Sequence, residues 1–259
     1  MTDIRMIVTD LDRTLLHSDK TISAYSAGIL QQCQVRGIMI AIATVRSERS
    51  CRRFTEMIGP DAVISNGGAL VRLGSEVIYR CAMTSDVASL LLQNLLQAPG
   101  VGYITVDTET GYLVNQPVDE NDPAWTDYLP ARSVDFSLGI SCAAYKITAE
   151  IADVTIARQI ADSVPAVGVT PFAGERWYRF ADKTAGKWNG LLAILGRTGL
   201  DRKNIVAFGD DYSDIELLKG CGAGIAVANA IDEVQAVADQ VCDTNDRDGV
   251  AHWIEENIL

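Results

Sequence analysis

Two aspartates one residue apart, Asp10 and Asp12, close the short apolar run Met6-Ile7-Val8-Thr9 near the N-terminus. The run reads as a buried strand, and parallel sheets carry their chemistry just past the carboxyl ends of their strands. Two carboxylates at such an end must share a cation, share a proton or diverge into solvent. The first two outcomes make a site.

Other strand and helix ends supply complementary groups. Thr44-Val45-Arg46 follows a second apolar run, Ser65-Asn66-Gly67-Gly68 a third, and Gly209-Asp210-Asp211-Tyr212-Ser213-Asp214 a late one, while Lys187 opens a helical pattern. Alone, Lys187 reads as a solvated helix lysine, Thr44 as a strand-end hydroxyl, and Asp210 or Asp214 as helix caps. Together the set suits phosphoryl transfer through an aspartyl phosphate. Asp10 is placed to attack phosphorus, splitting hydrolysis into two easier steps. Asp12 is placed to protonate the leaving alcohol and then take a proton from water. Mg²⁺, a hard ion that keeps waters and takes one or two carboxylates, would find ligands in Asp10 and Asp210. Thr44 and Lys187 would hold the charged equatorial oxygens, with the Val45 N–H also available to phosphate.

The elements that must position these residues alternate. A strand at Met6-Val8, a helix from about Ser23 to Gly37, a strand over 38–43, a helix from Ser47 to Ile58 and a strand over 62–65 form a βαβαβ pattern. That pattern implies a parallel sheet with right-handed crossovers. The rhythm returns in a helix over 185–199, a strand over 204–208, a helix from Tyr212 to Lys219, a strand over 224–227 and a helix over 250–256. Between them lie a helix over 87–97 with Ser85 as its N-cap, paired strand candidates at 103–106, 112–114, 143–147, 166–172 and 176–180, the Pro-containing stretch 115–132, and a helix over 151–164. The expected fold is α/β: a Rossmann-like, doubly wound parallel sheet formed by residues 1–83 and 184–259, with an inserted α+β module at 84–183. Arg179, where the module returns to the core, is a candidate for substrate specificity.

Composition narrows the partners. The 259 residues carry 34 acidic and 22 basic side chains, a formal charge of −12, which disfavours a nucleic-acid backbone binder. No apolar run approaches a membrane span, no signal peptide is visible, and the six cysteines form no CxxC pair. A cytoplasmic protein with no membrane partner is expected, and the sequence leaves its oligomeric state open. His17 and His252 have no third partner at ligand spacing and read as surface or packing residues.

In this order and spacing, Asp10-Leu11-Asp12-Arg13-Thr14, Thr44, Lys187 and Gly209-Asp210-Asp211-Tyr212-Ser213-Asp214 resemble the motifs of the haloacid dehalogenase superfamily of phosphohydrolases. The resemblance is to its Cof-like group, whose C2-type cap is inserted between the second and third motifs. It implies a Mg²⁺-dependent phosphatase of small phosphorylated metabolites, sugar phosphates among them, with the inserted cap choosing the substrate. It implies Asp10 as nucleophile and metal ligand, Asp12 as acid/base with its backbone carbonyl on the metal, and Asp210 completing the shell. Asp214 and Asp211 would orient that shell, and Arg46 and Asn66 would join Thr44 and Lys187 around the substrate. Asn229 and the tail Asn245-Asp246-Arg247-Asp248-Gly249 also match family signatures. Three positions depart: Arg13 and Val45 replace glycines, and Ser213 replaces asparagine. A phosphomutase on the same scaffold, or a phosphate-binding module without catalysis, are the competing readings.

Overall fold

The computed structural model describes residues 3–128 and 130–259. Along the chain run β1 (Met6–Thr9), α1 (Ala24–Val35), β2 (Met39–Ala43), α2 (Glu48–Ile58), β3 (Ala62–Ser65), β4 (Leu70–Leu73) and β5 (Glu76–Arg80). Then come α3 (Ser85–Gln97), β6 (Val101–Thr108), β7 (Tyr112–Val114), β8 (Ala131–Ser133), β9 (Ala144–Ile151), α4 (Val154–Asp162), β10 (Val167–Pro171) and β11 (Trp177–Asp182). The last third holds α5 (Lys187–Thr198), β12 (Ile205–Gly209), α6 (Ile215–Gly220), β13 (Ala223–Val227), α7 (Asp232–Gln235), β14 (Gln240–Cys242) and α8 (Gly249–Asn257).

The chain divides into two compact units: one comprises residues up to Arg46, Cys51–Tyr79 and Gly186–Leu259, the other Ser47–Ser50 and Arg80–Ala185. The first is built on an eight-stranded sheet ordered β14-β13-β12-β1-β2-β3-β4-β5. Its strands run parallel from β14 to β3, and β4 turns back antiparallel on β3. Near-continuous apolar strands such as Met6-Ile7-Val8 and Ile205-Val206-Ala207-Phe208 are buried throughout because helices cover both faces. One face carries α1 against α8, the other α5 against α6. Strand order reverses at β1, with β2 on one flank and β12 on the other, which opens a crevice at their carboxyl ends.

The second unit is a six-stranded sheet ordered β10-β11-β9-β6-β7-β8, largely antiparallel. Leu91, Leu92 and Leu95 of α3 and Ile160 of α4 share a core with Ile104, Ile147 and Phe180 of its strands. No helix among the described residues is long and apolar enough to cross a membrane. No cysteine among them forms a disulfide, and three are buried.

Several expected boundaries move for local reasons. Thr84, not Ser85, caps α3, its hydroxyl accepting from the Val87 N–H at 3.4 Å. The helix expected from Ile151 starts at Val154, because β9 holds Ile151 in the sheet and Asp153 caps the helix through the Thr155 N–H. The helix expected from Tyr212 opens as a 3₁₀ turn over Tyr212–Asp214 before α6. The stretch 115–132, of which residue 129 lies outside the described residues, contains a 3₁₀ turn at Pro123–Tyr128 and the start of β8. The short strands β4, β5 and β14 carry no periodic signal of their own.

Phe208 is fully buried in β12, with its ring edge-on to Trp253 of α8 at 5.4 Å between centroids. Phe208→Ala is expected to cost about 3–5 kcal/mol of stability by leaving a cavity. Leu192→Ala, at a half-exposed position of α5, is expected to change stability by less than about 1 kcal/mol, with urea unfolding as the measurement for both.

Candidate active site

Asp10 follows β1 directly, its N–H still bonded to the Phe208 carbonyl of β12 at 3.1 Å. The sheet therefore fixes its Cα beside the end of β12, where Asp210 emerges. Asp214 joins them because the capping box of Asp211 and Asp214 turns the chain back at once. Gly209 permits that approach, since a Cβ there would stand 2.4 Å from the Asp214 Cβ. Asp10, Asp210 and Asp214 are all buried and can each offer an oxygen within 4.8 Å of the others.

Lys187, the first residue of α5, is the cation set among them. Its ammonium donates to Asp10 Oδ1 at 2.9 Å and to Asp214 Oδ1 at 2.7 Å. Burial alone would lower the lysine pKa, but Asp10 and Asp214 drive it upward and keep it charged. Burial drives the Asp10 pKa well up, against the pull of Lys187 and with repulsion from Asp214, Asp210 and Asp12. Burial, then Asp214, pushes Asp210 up to about 7 despite a 2.8 Å hydrogen bond from the Thr14 hydroxyl. Asp214 Oδ2 accepts the N–H groups of Asp210 and Asp211 at 3.4 and 3.3 Å. Three carboxylates around one ammonium leave an excess of negative charge. The hard oxygen donors fit a divalent cation, with Asp10, Asp210 and Asp214 as the residues to hold it.

Asp12 faces a different environment. Its carboxylate takes a two-point fork from Arg46, Nε to Oδ2 at 2.6 Å and Nη2 to Oδ1 at 2.9 Å, and a third bond from Lys20 Nζ at 2.9 Å. Burial would raise its pKa, but these two cations bring it down to about 2. Leu11 separates the two acids, and the chain turns just past Asp12 at Arg13, which sits at φ 60°. Glycine would adopt that left-handed conformation without steric cost.

The neighbouring loops lock together by backbone bonds. The Thr44 hydroxyl accepts the Arg46 N–H at 3.1 Å, and its carbonyl accepts the Gly67 N–H at 2.9 Å. Val45 is not among the residues at positive φ, so the substitution for glycine introduces no backbone strain. Asn66 takes the strain instead, at φ 52°, with its N–H on the Arg46 carbonyl at 2.7 Å. Its buried Oδ1 has no hydrogen-bond partner among the described residues.

The structure thus gathers Asp10, Lys187, Asp210 and Asp214, and it links Asp12, Thr44, Arg46 and Asn66 through direct bonds. Arg46, expected at the substrate, has its guanidinium on Asp12. Arg179 is not in this set: it lies on β11 of the second unit, buried, and donates to the Ala185 carbonyl at 2.7 Å. Sequence reasoning passed over two further contributors. Thr14 has a legible signal, a hydroxyl four residues beyond Asp10. Lys20 has none, because only the folded turn brings it to Asp12.

A model of the haloacid dehalogenase-like hydrolase family matches residues 7–254. The chain is 27% identical to the 5-amino-6-(5-phospho-D-ribitylamino)uracil phosphatase YitU of Bacillus subtilis, over 97% of this chain and 96% of that protein. It is also 27% identical to the phosphoglycolate phosphatase of Methanopyrus kandleri, again over 97% and 96%. Among solved structures, the subclass IIB sugar phosphatase BT4131 superposes with a TM-score of 0.86 at 22% identity, covering 97% of this chain and 98% of that one. At that identity the superposition speaks to fold alone.

Added Mg²⁺ is expected to raise Tm by roughly 3 °C at ten times its Kd, and by much less in Asp210→Asn. A proton on Asp210 competes with the cation, so the shift should shrink as pH falls from 8 through about 7, where that carboxyl titrates. Differential scanning fluorimetry over a Mg²⁺ and pH grid measures both.

Proposed function

The chain belongs to the haloacid dehalogenase-like hydrolases, and within that family we propose that it is a Mg²⁺-dependent phosphomonoesterase acting through an aspartyl phosphate on Asp10. The observation that supports this reading is the buried Lys187 ammonium bonded at once to Asp10 and Asp214, beside Asp210. One Asp10 oxygen is tethered at a strand end, so the carboxylate is oriented before substrate arrives.

In the first step an Asp10 carboxylate oxygen forms a bond to phosphorus while the bond from phosphorus to the ester oxygen breaks. Asp12 is assigned the proton that the departing alkoxide takes up, a role that the Arg46 and Lys20 contacts oppose before substrate arrives by holding it as a carboxylate. In the second step Asp12 takes a proton from water, the water oxygen bonds to phosphorus, and Asp10 leaves as carboxylate with inorganic phosphate as product. Lys187 stays charged at neutral pH and lies beside the attacking oxygen, where it offsets charge gathering on the phosphoryl group. Thr44 shapes the loop at the end of β2, with the Asn66 carboxamide beside it as a group for substrate. A divalent cation held by Asp10, Asp210 and Asp214 would neutralise the phosphate charge that this acidic cluster otherwise repels.

The substrates are small phosphorylated metabolites, in keeping with the phosphate esters named for the relatives and with a sugar phosphatase of the same fold. The acid cluster is indifferent to the alcohol. Its choice is assigned to the second unit, with the inserted module at 84–183 as a specificity cap. The reading places the protein in the cytoplasm, where such metabolites occur.

Purified protein with Mg²⁺ is expected to release inorganic phosphate from members of a panel including sugar phosphates, phosphoglycolate and p-nitrophenyl phosphate. Asp10→Asn should lose at least about 10³-fold in kcat, and EDTA should abolish turnover until Mg²⁺ is returned. Asp10→Asn with wild-type turnover would remove the covalent step, and isomerised sugar phosphate without released phosphate would make the protein a mutase.

A further inference from the structure

Between Leu16 and Ile22 the chain makes a tight turn, His17 N–H to the Thr21 carbonyl and Lys20 N–H to the His17 carbonyl, both at 2.9 Å. Lys20 sits in it at φ 64°, a left-handed conformation that an ordinary side chain adopts only when its surroundings impose it. From there its ammonium reaches Asp12 Oδ1 at 2.9 Å. The lysine side chain is 45% exposed, so the pair adds little to stability and the strain is not repaid by folding.

The surroundings that impose the turn come from the far end of the chain. Asp246 accepts both the N–H and the hydroxyl of Ser18, each at 2.7 Å. Asp248 Oδ1 accepts the hydroxyls of Ser23 and Ser26 at 2.7 and 2.8 Å, and the His17 Nε2 lies 3.0 Å from the same oxygen. Asn245 donates to the Leu16 carbonyl at 2.9 Å, and its own N–H reaches Asn229, whose amide donates to the Arg13 carbonyl at 2.7 Å. All but the Asn245–Asn229 bond tie the segment 13–26 to residues 229 and 245–248.

We propose that Lys20 is a positioning residue for Asp12, and that Asp246 and Asp248 set the turn that delivers it. Arg46 grips the carboxylate from the end of β2, and Lys20 grips it from the turn at 17–21 that follows β1. A carboxylate held from two elements keeps one orientation toward the ester oxygen and then toward water, whereas one held from a single element retains rotational freedom. The inference rests on the phosphatase reading of Asp12 given above.

The test is rapid-quench kinetics with p-nitrophenyl phosphate, whose leaving group departs without a proton, so that only breakdown of the phosphoenzyme calls on Asp12. Lys20→Met is expected to keep the first-turnover release of p-nitrophenol within roughly twofold while steady-state release falls about tenfold, so that a burst appears. Lys20→Arg should restore the steady-state rate, and Asp248→Asn should show the same burst as Lys20→Met. Melting curves for Lys20→Met should match wild type. An unchanged steady-state rate in Lys20→Met, or first-turnover and steady-state rates that fall together, overturns the proposal while leaving the phosphatase reading intact. Wild-type protein that releases phosphate from no member of the panel, p-nitrophenyl phosphate included, overturns that reading, and the inference falls with it.

Discussion

One lysine among three buried carboxylates is the constraint on which the rest of this structure turns. Asp10, Asp210 and Asp214 lie together at nearly complete burial, and Lys187 supplies the ammonium bonded to two of them. Removing like charges from water to this extent is costly unless each is paired or hydrogen-bonded. The fold meets the cost with local devices: the Thr14 hydroxyl on Asp210, backbone N–H groups on Asp214, and the ammonium itself. What these devices leave over is negative charge on hard oxygen donors that could hold a cation. A fully neutralised cluster would be more stable and would bind nothing.

The same chain that concentrates charge at Asp10 separates it at Asp12. Two residues apart, one carboxyl is driven well up by burial and its acidic neighbours, and the other is brought down to about 2 by Arg46 and Lys20. Backbone conformation causes the divergence. After Asp10 the chain leaves the strand through Leu11, and Asp12, at φ −69° and ψ 127°, meets Arg46 at the end of β2 instead of the acid cluster, with the turn at Arg13 just beyond it. An arginine at that position accepts backbone strain that glycine would avoid. Part of the return is visible in its guanidinium, 3.8 Å from Asp210 Oδ2 and within reach of the Asn229 carbonyl.

What the sequence discloses about this arrangement follows from range. The Asp10, Lys187 and Asp210 motifs are legible because parallel strands send their carboxyl ends to one edge, so residues placed after apolar runs must converge. The hydrophobic runs of β1, β2, β3 and β12 are legible for the same reason, being buried on both faces. The short strands β4, β5 and β14, at or next to the two margins of the sheet, are not, because three to five residues offer too few apolar positions to set a period. The pairing of Arg46 with Asp12 was hidden too, since a conserved-type Thr-x-Arg run says nothing about which anion the guanidinium meets. Arg179 illustrates the converse. A strand over 176–180 is legible, but only the structure shows the guanidinium donating to the Ala185 carbonyl within the second unit.

The departures from the family pattern are therefore unequal in consequence. Val45 keeps an ordinary backbone, so replacing glycine there removes flexibility without distorting the loop that carries Thr44. Ser213 lies inside the 3₁₀ turn whose geometry is set by Asp211 and Asp214 on either side, and a shorter side chain leaves their capping box intact. Arg13 alone changes both backbone energy and local charge, adding a cation at the edge of a cluster that has only Lys187 at its centre. Its reach to Asp210 lowers the excess negative charge from the exposed side of the cluster. A substitution that looks disruptive by motif comparison thus acts in the same direction as a cation held by the cluster would, softening the repulsion that the proposed phosphate monoester would meet.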